Sequence, residues 1–219
     1  MPDAATDTGT NGAHEPTRIV LVRHGETAWN AAQRIQGHYD EPLNERGRWQ
    51  AARAGEALRG EGLAHVYSSD LARARETAEA LARASGVARV LTHEALRERA
   101  FGRFEGLTYA EVEERWPEDV RRWRSREPGF APGGGETIEA FYARCVSCAG
   151  EIASRHPGEA VALVAHGGVL DCLYRAAARV DLRAPRTWQL GNATVNRLLW
   201  NGEGFVLVGW NDDAHLQGG

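Results

Sequence analysis

The chain of 219 residues contains no lysine, and all 26 of its basic residues are arginine. Enzymes that need a lysine in a phosphate-binding loop, as a Schiff base or as the nucleotide-binding residue of a kinase are therefore excluded. The net charge is -4, so the chain lacks the broad basic surface that general nucleic-acid binding requires. Any anion site in this protein must be local and built without lysine.

Long apolar runs and cysteines are also scarce. No apolar segment approaches the roughly 18 residues of a membrane-spanning helix, and residues 1–16 lack the hydrophobic stretch of a signal peptide. We therefore expect a disordered tail at 1–16, a single domain at 17–217, a cytoplasmic location and no membrane partner. The three cysteines fit a reducing compartment. We interpret the C-x-x-C at Cys145 and Cys148 as two small apolar residues of a helix rather than a metal or redox site.

The apolar run at 19–22 is followed directly by Arg23, His24 and Gly25. Such a run predicts a short buried strand, and open α/β sheets bind ligands at the carboxyl ends of their strands. An arginine beside an imidazole at this position suits a phosphate, because arginine holds the charge while histidine can attack. Alone, the pattern is equally compatible with a loop histidine next to a solvated arginine.

Further segments favour the phosphate interpretation. A second apolar run at 161–165 ends in His166, and the segment 68–78 combines a strand end with Arg73 in the first turn of a helix. Together with Leu96-Arg97-Glu98 and Phe101-Gly102-Arg103-Phe104-Glu105-Gly106, these segments resemble the histidine phosphatase superfamily, the phosphoglycerate mutase-like proteins. The resemblance extends from about residue 18 to about residue 215.

Strands and helices alternate along the chain, which predicts an α/β fold. Capping residues and apolar periodicity predict helices at 44–59 (capped by Asn44), 70–84 (capped by Asp70), 108–125, 137–155 (capped by Thr137) and 168–179. Strands are predicted at 18–23, 64–67, 88–91, 161–165, 194–200 and 205–210, the last two as a hairpin around Asn201 to Gly204. We expect a mostly parallel sheet with an antiparallel edge, and the resemblance implies the same three-layer α/β/α sandwich. The glycine-rich segment 128–135 predicts a loop of the kind that often covers an active site.

The resemblance also implies a role for each residue of a phosphate site. His24 would be the nucleophile that becomes a phosphohistidine, and the phosphoryl oxygens would be held by Arg23, Arg73 and His166. Asn30 would donate a further hydrogen bond, and the expected substrate-binding set is completed by Thr27, Gln36, Gly37 and Gly167. Glu98 matches the position of the general acid and base, with Glu94 and Glu105 as alternatives.

Several other charged residues have no predicted catalytic role. We interpret His14, His65, His93 and His156 as ordinary histidines, and no histidine pair shows zinc-ligand spacing, so no metal site is expected. His38 and His215 lie in segments similar to the family but receive no role. The arginines within 121–126 either read a second anionic group of the substrate or form the solvated face of a helix.

The function expected from these residues is the hydrolysis of phosphomonoesters of small metabolites. No cofactor and no metal are expected, because arginine and imidazole supply the charge that a magnesium ion would otherwise bring. Two alternatives remain: a phosphoglycerate mutase, which transfers the phosphate of His24 onwards, and a non-catalytic phosphate-binding module. The complete residue set disfavours the module, and the short connection at 104–108 lacks the longer insertion of cofactor-dependent mutases. The expected partner is a small phosphorylated metabolite, with no nucleic acid and with a homodimer left open.

Overall fold

The computed structural model describes residues 15–217, and a six-stranded sheet lies at its centre. The strands are β1 (Thr17–Arg23), β2 (Leu63–Ser68), β3 (Val90–Thr92), β4 (Ala160–Ala165), β5 (Val195–Trp200) and β6 (Phe205–Asp212). Their order across the sheet is β3-β2-β4-β1-β5-β6. The first four in this order are parallel to one another, whereas β5 and β6 are added in antiparallel fashion. The predicted mostly parallel sheet with an antiparallel edge is confirmed.

Helices cover both faces of this sheet. In the described residues they are α1 (Ala28–Ala31), α2 (Glu45–Ala57), α3 (Ala72–Ser85), α4 (Tyr109–Arg115), α5 (Pro117–Arg124), α6 (Ile138–Ser154) and α7 (Gly167–Ala178). Ile19 and Leu21 of β1 share one apolar cluster with residues of α6 and α7, whereas Val20 and Val22 share another with α2 and α3. Successive side chains of a strand point to opposite faces, so the apolar run of β1 needs a helical layer on each side. The three-layer prediction is confirmed.

Two of the three predicted helix caps are confirmed. Asn44 and Thr137 each accept the backbone N–H three residues later, at 2.7 and 3.2 Å. The prediction for Asp70 is wrong, because α3 begins only at Ala72. The Asp70 carboxylate instead accepts from Nε of Arg97 at 2.8 Å. Asp70 therefore ties the start of α3 to the segment that carries Glu98.

The helix predicted at 108–125 is divided into α4 and α5. The break lies at Trp116, whose φ of -140° and ψ of 63° are not helical. Proline disfavours helical backbone in the residue before it, and Pro117 itself is well suited to the first turn of the next helix. The two short helices pack with Ile35 and Phe104 in a small apolar cluster of their own. They form a separate lobe beside the sheet rather than one long helix.

The predictions at the margins of the fold have mixed outcomes. The hairpin is confirmed, since Oδ1 of Asn201 accepts from the backbone N–H of Gly204 at 2.9 Å. Strand β3 has three residues and begins later than the predicted 88–91. Of the tail predicted at 1–16, residues 1–14 lie outside the described residues. Between residues 15 and 217, no helix is both long enough and apolar enough to cross a membrane.

The C-x-x-C pair lies on α6, as predicted. Cys145 and Cys148 are both buried free thiols within the apolar layer between α6 and the sheet. Each contributes apolar volume to that layer.

Candidate active site

The two strand-histidine segments meet at one edge of the sheet. Strands β1 and β4 are parallel neighbours with Arg23 in register with Ala165, and the backbone N–H of His24 donates to the carbonyl of Ala165 at 2.9 Å. The next residue on each strand is therefore a histidine at the same sheet edge. The rings of His24 and His166 lie edge to face with their centroids 5.2 Å apart. Parallel pairing thus joins two segments that are far apart in the sequence.

His24 is held as a neutral imidazole with one nitrogen available. It is 3% exposed, and its Nδ1 lies 2.7 Å from the carbonyl oxygen of Gly25. Because a carbonyl oxygen only accepts, Nδ1 carries the proton and Nε2 keeps its lone pair. Burial, followed by the positive charges of Arg73 and Arg23, holds the pKa of His24 well below its usual value. The ring is therefore neutral at neutral pH with Nε2 unprotonated, as a nucleophile must be.

Two arginines flank this imidazole. Nη1 and Nη2 of Arg73 donate to the carbonyls of Tyr39 and Gly37 at 2.7 and 2.8 Å, and Arg23 donates through Nη1 to the carbonyl of Leu190. The Nε atoms of both arginines are buried without a hydrogen-bond partner in the described part of the chain. Burial is the main cause that lowers the pKa of Arg73 to about 10, and it also lowers the pKa of Arg23. Both remain charged at neutral pH, and their unpaired donors favour a bound anion.

His166 is completely buried at the N-terminus of α7, where it is the capping residue. Neither ring nitrogen has a hydrogen-bond partner within residues 15–217. Burial and the charge of Arg73 hold its pKa well below the usual value. Buried polar atoms are rarely left unpaired, so the site is built for a ligand that accepts or donates at this ring. The N-terminus of α7 adds a partial positive charge that favours an anion.

Glu98 lies at the same helix terminus. Its carboxylate accepts from the backbone N–H of Arg99 at 2.8 Å and of Gly168 at 3.0 Å. A side chain at Gly168 would not fit, since its Cβ would lie 2.2 Å from Oε1 of Glu98 and 2.9 Å from the ring of Phe141. Glycine at 168 is therefore what allows the carboxylate to approach the helix terminus.

The alternatives to Glu98 point elsewhere. The side chain of Glu94 is 78% exposed and pairs with Arg97 at 3.7 Å. Glu105 accepts from the backbone N–H groups of Phe101 and His38 at 2.9 and 3.1 Å. Of these three carboxylates, Glu98 is the one that lines the cavity next to His24.

Asn30 and Gln36 line the cavity, whereas Thr27 does not face it. Oδ1 of Asn30 accepts from the backbone N–H and the hydroxyl of Thr27, at 3.1 and 3.2 Å, so its amide donors are left for a ligand. The Thr27 hydroxyl, fully buried, caps α1 and contacts Oε1 of Gln36 at 3.0 Å. Thr27 therefore orients Asn30 and Gln36 and is not itself part of the cavity lining.

The two predicted glycines contribute in different ways. Gly37 has a φ of +53°, and a Cβ there would lie 2.1 Å from the Glu105 carboxylate. Its carbonyl holds Arg73, so its conformation positions the arginine. Gly167 begins α7 and lines the cavity, and a Cβ added there would lie 3.5 Å from Nε of Arg23, an ordinary contact distance.

The cavity above these residues has a volume of about 370 Å³. Its wall includes residues that the sequence did not single out: Arg34, Arg99, Tyr109, Trp123, Ile138, Phe141, Gly168, Asp171, Arg186 and Leu190. They come from several loops and helices, and apart from the second glycine after His166 no local pattern marks them. Asn192 was also missed, although its side chain donates to the carbonyl of His24 at 2.9 Å.

Some arginines within 121–126 lie on a solvated helix face, and one lies at the cavity. Arg122 and Arg124 form exposed ion pairs with Glu127 and Glu113, at 2.7 and 2.6 Å, which is the solvated helix face. Arg126 instead lines the cavity and pairs with the buried Asp171 at 2.9 Å.

The two histidines without an assigned role form hydrogen bonds to backbone carbonyls. Nε2 of His38 lies 2.9 Å from the carbonyl of Glu98, and Nε2 of His215 lies 3.0 Å from the carbonyl of Ala193. His38 therefore supports the segment that carries the candidate acid, while His215 supports the chain next to β5.

Comparison with known proteins shows the family of this chain. The family model described as histidine phosphatase superfamily (branch 1) matches residues 19–213. Phosphoglycerate mutase-like protein 4 of Arabidopsis thaliana is 42% identical over 202 residues, which are 91% of this chain and 86% of the relative. The metal-independent phosphoserine phosphatase of Arabidopsis thaliana is 39% identical over 204 residues, 92% of this chain and 84% of the relative.

Solved structures show the same likeness. A mycobacterial glucosyl-3-phosphoglycerate phosphatase has a TM-score of 0.80 at 33% identity, covering 90% of this chain and all of that one (100%). The matched region contains β1 from Ile19 onwards, all of the other five strands and both strand-histidine ends, and the fold is the phosphoglycerate mutase-like sandwich. This chain belongs to the histidine phosphatase superfamily, branch 1, and is an enzyme of its phosphatase type.

Proposed function

We propose that the protein hydrolyses phosphomonoesters of small metabolites through a phosphohistidine formed on His24. The observation that carries this proposal is the neutral, buried imidazole, whose free Nε2 lies among two arginines and a second histidine. A phosphoryl group with nearly two negative charges needs such a clamp, since its transition state spreads charge over three equatorial oxygens.

In the first step, Nε2 of His24 attacks phosphorus and the bond from phosphorus to the ester oxygen breaks. The guanidinium groups of Arg23 and Arg73, with His166, hold the phosphoryl oxygens, and the free amide of Asn30 adds a donor. Glu98 gives its proton to the leaving alkoxide, which departs as an alcohol.

In the second step, Glu98 is a carboxylate and takes a proton from water. The water attacks the phosphohistidine, the bond from phosphorus to Nε2 breaks, and inorganic phosphate leaves. Two backbone N–H groups hold the carboxylate in one place for both steps, at 2.8 and 3.0 Å.

The charge balance of the cavity indicates the substrate class. Its described lining contains six arginines and two carboxylates: Arg23, Arg34, Arg73, Arg99, Arg126 and Arg186 against Glu98 and Asp171. Arg126 is paired with Asp171, and Arg34 with Glu111 at 3.4 Å. Arg99 donates to backbone carbonyls, and Arg186 has no ion-pair partner in residues 15–217. We infer that the substrate carries a second anionic group, such as a carboxylate, near Arg186.

The test measures the kinetics of a panel of phosphorylated metabolites with the wild-type protein and with two variants of one loop. Arg186→Ala should raise KM for phosphomonoesters with a carboxylate but not for p-nitrophenyl phosphate. Arg183→Ala, an exposed arginine of the same loop that does not line the cavity, should change neither. Equal effects of the two substitutions would remove the anion subsite from the proposal while leaving the phosphatase intact.

Adding 2,3-bisphosphoglycerate to the same panel separates the phosphatase from a mutase. A phosphatase releases inorganic phosphate without it, whereas a mutase would interconvert phosphoglycerates and depend on it. The short connection from Phe104 to α4 supports the phosphatase, because Thr108 caps α4 directly after it.

Three wider properties remain proposals. We propose that residues 17–217 form one domain and that the enzyme works in the cytoplasm, where its buried thiols stay reduced. A homodimer is supported by the exposed Val206 and Val208 on the edge strand β6, at 45% and 59% exposure. Light scattering of the full chain tests the dimer.

A further inference from the structure

A cluster of metal-ligating side chains lies at the end of the sheet opposite to the catalytic cavity. His65 is part of β2, while His156 and Glu159 lie in the turn between α6 and β4. Because β2 and β4 are parallel neighbours with Leu63 opposite Ala160, the start of one strand lies beside the turn before the other. The fold thus brings together two histidines that are far apart in the sequence. For this reason the sequence shows no zinc-ligand spacing between them.

The donor atoms of this cluster already lie near coordination distance of one another. Nδ1 of His156 is 2.8 Å and Nε2 of His65 is 3.5 Å from Oε2 of Glu159. All three ligand atoms lie within 4.8 Å of one another. Zinc bonds of about 2.0–2.2 Å in a tetrahedron place ligand atoms about 3.3 Å apart. The three ligand atoms therefore lie close to the spacing that a single ion requires.

One ligand is buried and held by hydrogen bonds, whereas the other two are partly exposed. His156 is 9% exposed, its Nε2 lies 2.9 Å from the hydroxyl of Tyr67, and its carbonyl accepts from the hydroxyl of Thr17 at 2.9 Å. The side chains of His65 and Glu159 are 38% and 45% exposed. The two outer side chains are therefore accessible to water, which could supply a fourth ligand.

We propose that His65, His156 and Glu159 bind one Zn²⁺ ion, with water as its fourth ligand. Two histidines and a glutamate with an open position are an established zinc donor set. On binding, Nδ1 of His156 coordinates the metal, its proton is transferred to Nε2, and the Tyr67 hydroxyl changes from donor to acceptor. A partner of this kind on the second ring nitrogen orients metal-bound histidines and tunes affinity. The ion would link β2 to the turn before β4, away from the phosphoryl chemistry.

The test is titration of the metal-free protein with zinc, monitored by calorimetry. A second titration with cobalt uses its absorption spectrum, which reports tetrahedral coordination. We expect one equivalent to bind, and the melting temperature to rise with added zinc. His65→Ala and Glu159→Gln should abolish the tetrahedral cobalt spectrum, and Tyr67→Phe should weaken binding by about 10–100-fold. Glu151→Gln, an exposed carboxylate on α6, is the matched control and should change nothing.

The histidines of the catalytic cavity are the competing source of zinc binding. Binding that persists unchanged in His65→Ala, or that is lost in His24→Ala, would overturn the assignment, as would a wild-type protein that takes up no metal. Since His65 and Glu159 lie outside the cavity, their variants should keep phosphatase activity. The zinc site and the proposed hydrolysis therefore stand or fall separately.

Discussion

Substitution of Glu98 by glutamine tests the proposed acid without changing the size of the side chain. The carboxylate gives one oxygen to the N–H of Arg99 and the other to that of Gly168. Glutamine has only one oxygen, so its amide must face one of these donors. One buried N–H then loses its acceptor, which costs about 1–3 kcal/mol of folding stability. The same change removes the proton that the leaving alkoxide needs.

The kinetic effect should depend on the leaving group. General acid catalysis contributes about 10²–10⁴ in rate, or about 3–5 kcal/mol of the barrier. Glu98→Gln should therefore slow the transfer of phosphate from an alkyl ester by that factor. Nitrophenolate leaves without a proton, so p-nitrophenyl phosphate should lose less than about tenfold in the same step. Because Glu98 also activates water, phosphoenzyme should accumulate with the aryl substrate.

Single-turnover rates with the two substrates, measured by rapid quench, decide this prediction. Glu105→Gln is the control, since Glu105 also accepts two backbone N–H groups, both at Oε1, but does not line the cavity. Because glutamine keeps the oxygen that accepts both N–H groups, this variant should keep its melting temperature and show no dependence on the leaving group. Equal losses for both substrates in Glu98→Gln, or a leaving-group effect in Glu105→Gln, would show that Glu98 is not the acid.

Further predictions concern the nucleophile, the helix terminus, pH and metals. His24→Ala should abolish turnover and acid-labile phosphate labelling, and a persisting label would refute the assignment. Gly168→Ala should cost alkyl phosphatase activity about 10²-fold, because its Cβ would displace Glu98, whereas Gly167→Ala, with ordinary contacts, should keep most of it. Burial lowers the pKa of His24 and His166 in the folded protein, so below the ordinary pKa of histidine the unfolded chain binds more protons than the folded one. The contribution of these histidines to folding stability should therefore be complete above that pKa and should decrease as the pH falls below it. Urea unfolding should show a loss of up to about 1.4 kcal/mol per pH unit for each histidine, smaller in His24→Ala. Activity should persist in excess chelator, and a loss that magnesium restores would contradict the arginine clamp.

The sequence predicted the central strand and two helix caps because the signals for them are local. The run 19–22 has to be covered on both faces, and its position before Arg23 and His24 follows from chain order alone. Asn44 and Thr137 cap their helices through bonds to residues three positions away. The cap predicted at Asp70 was wrong because a long-range contact prevailed there: the carboxylate bonds to Arg97 rather than to its own helix.

The tertiary structure decided which residues from remote segments come together, which local sequence signals do not show. Strand pairing sets His24 beside His166, and the approach of Gly168 distinguishes Glu98 from Glu94 and Glu105. The state of each ionisable group is also a property of the fold, because burial and neighbouring charges set a pKa. The sequence therefore determined which chemical groups are available and near which strand ends they lie. Only the packed structure decided which of them share a cavity, since distances between remote segments depend on the pairing of the whole sheet.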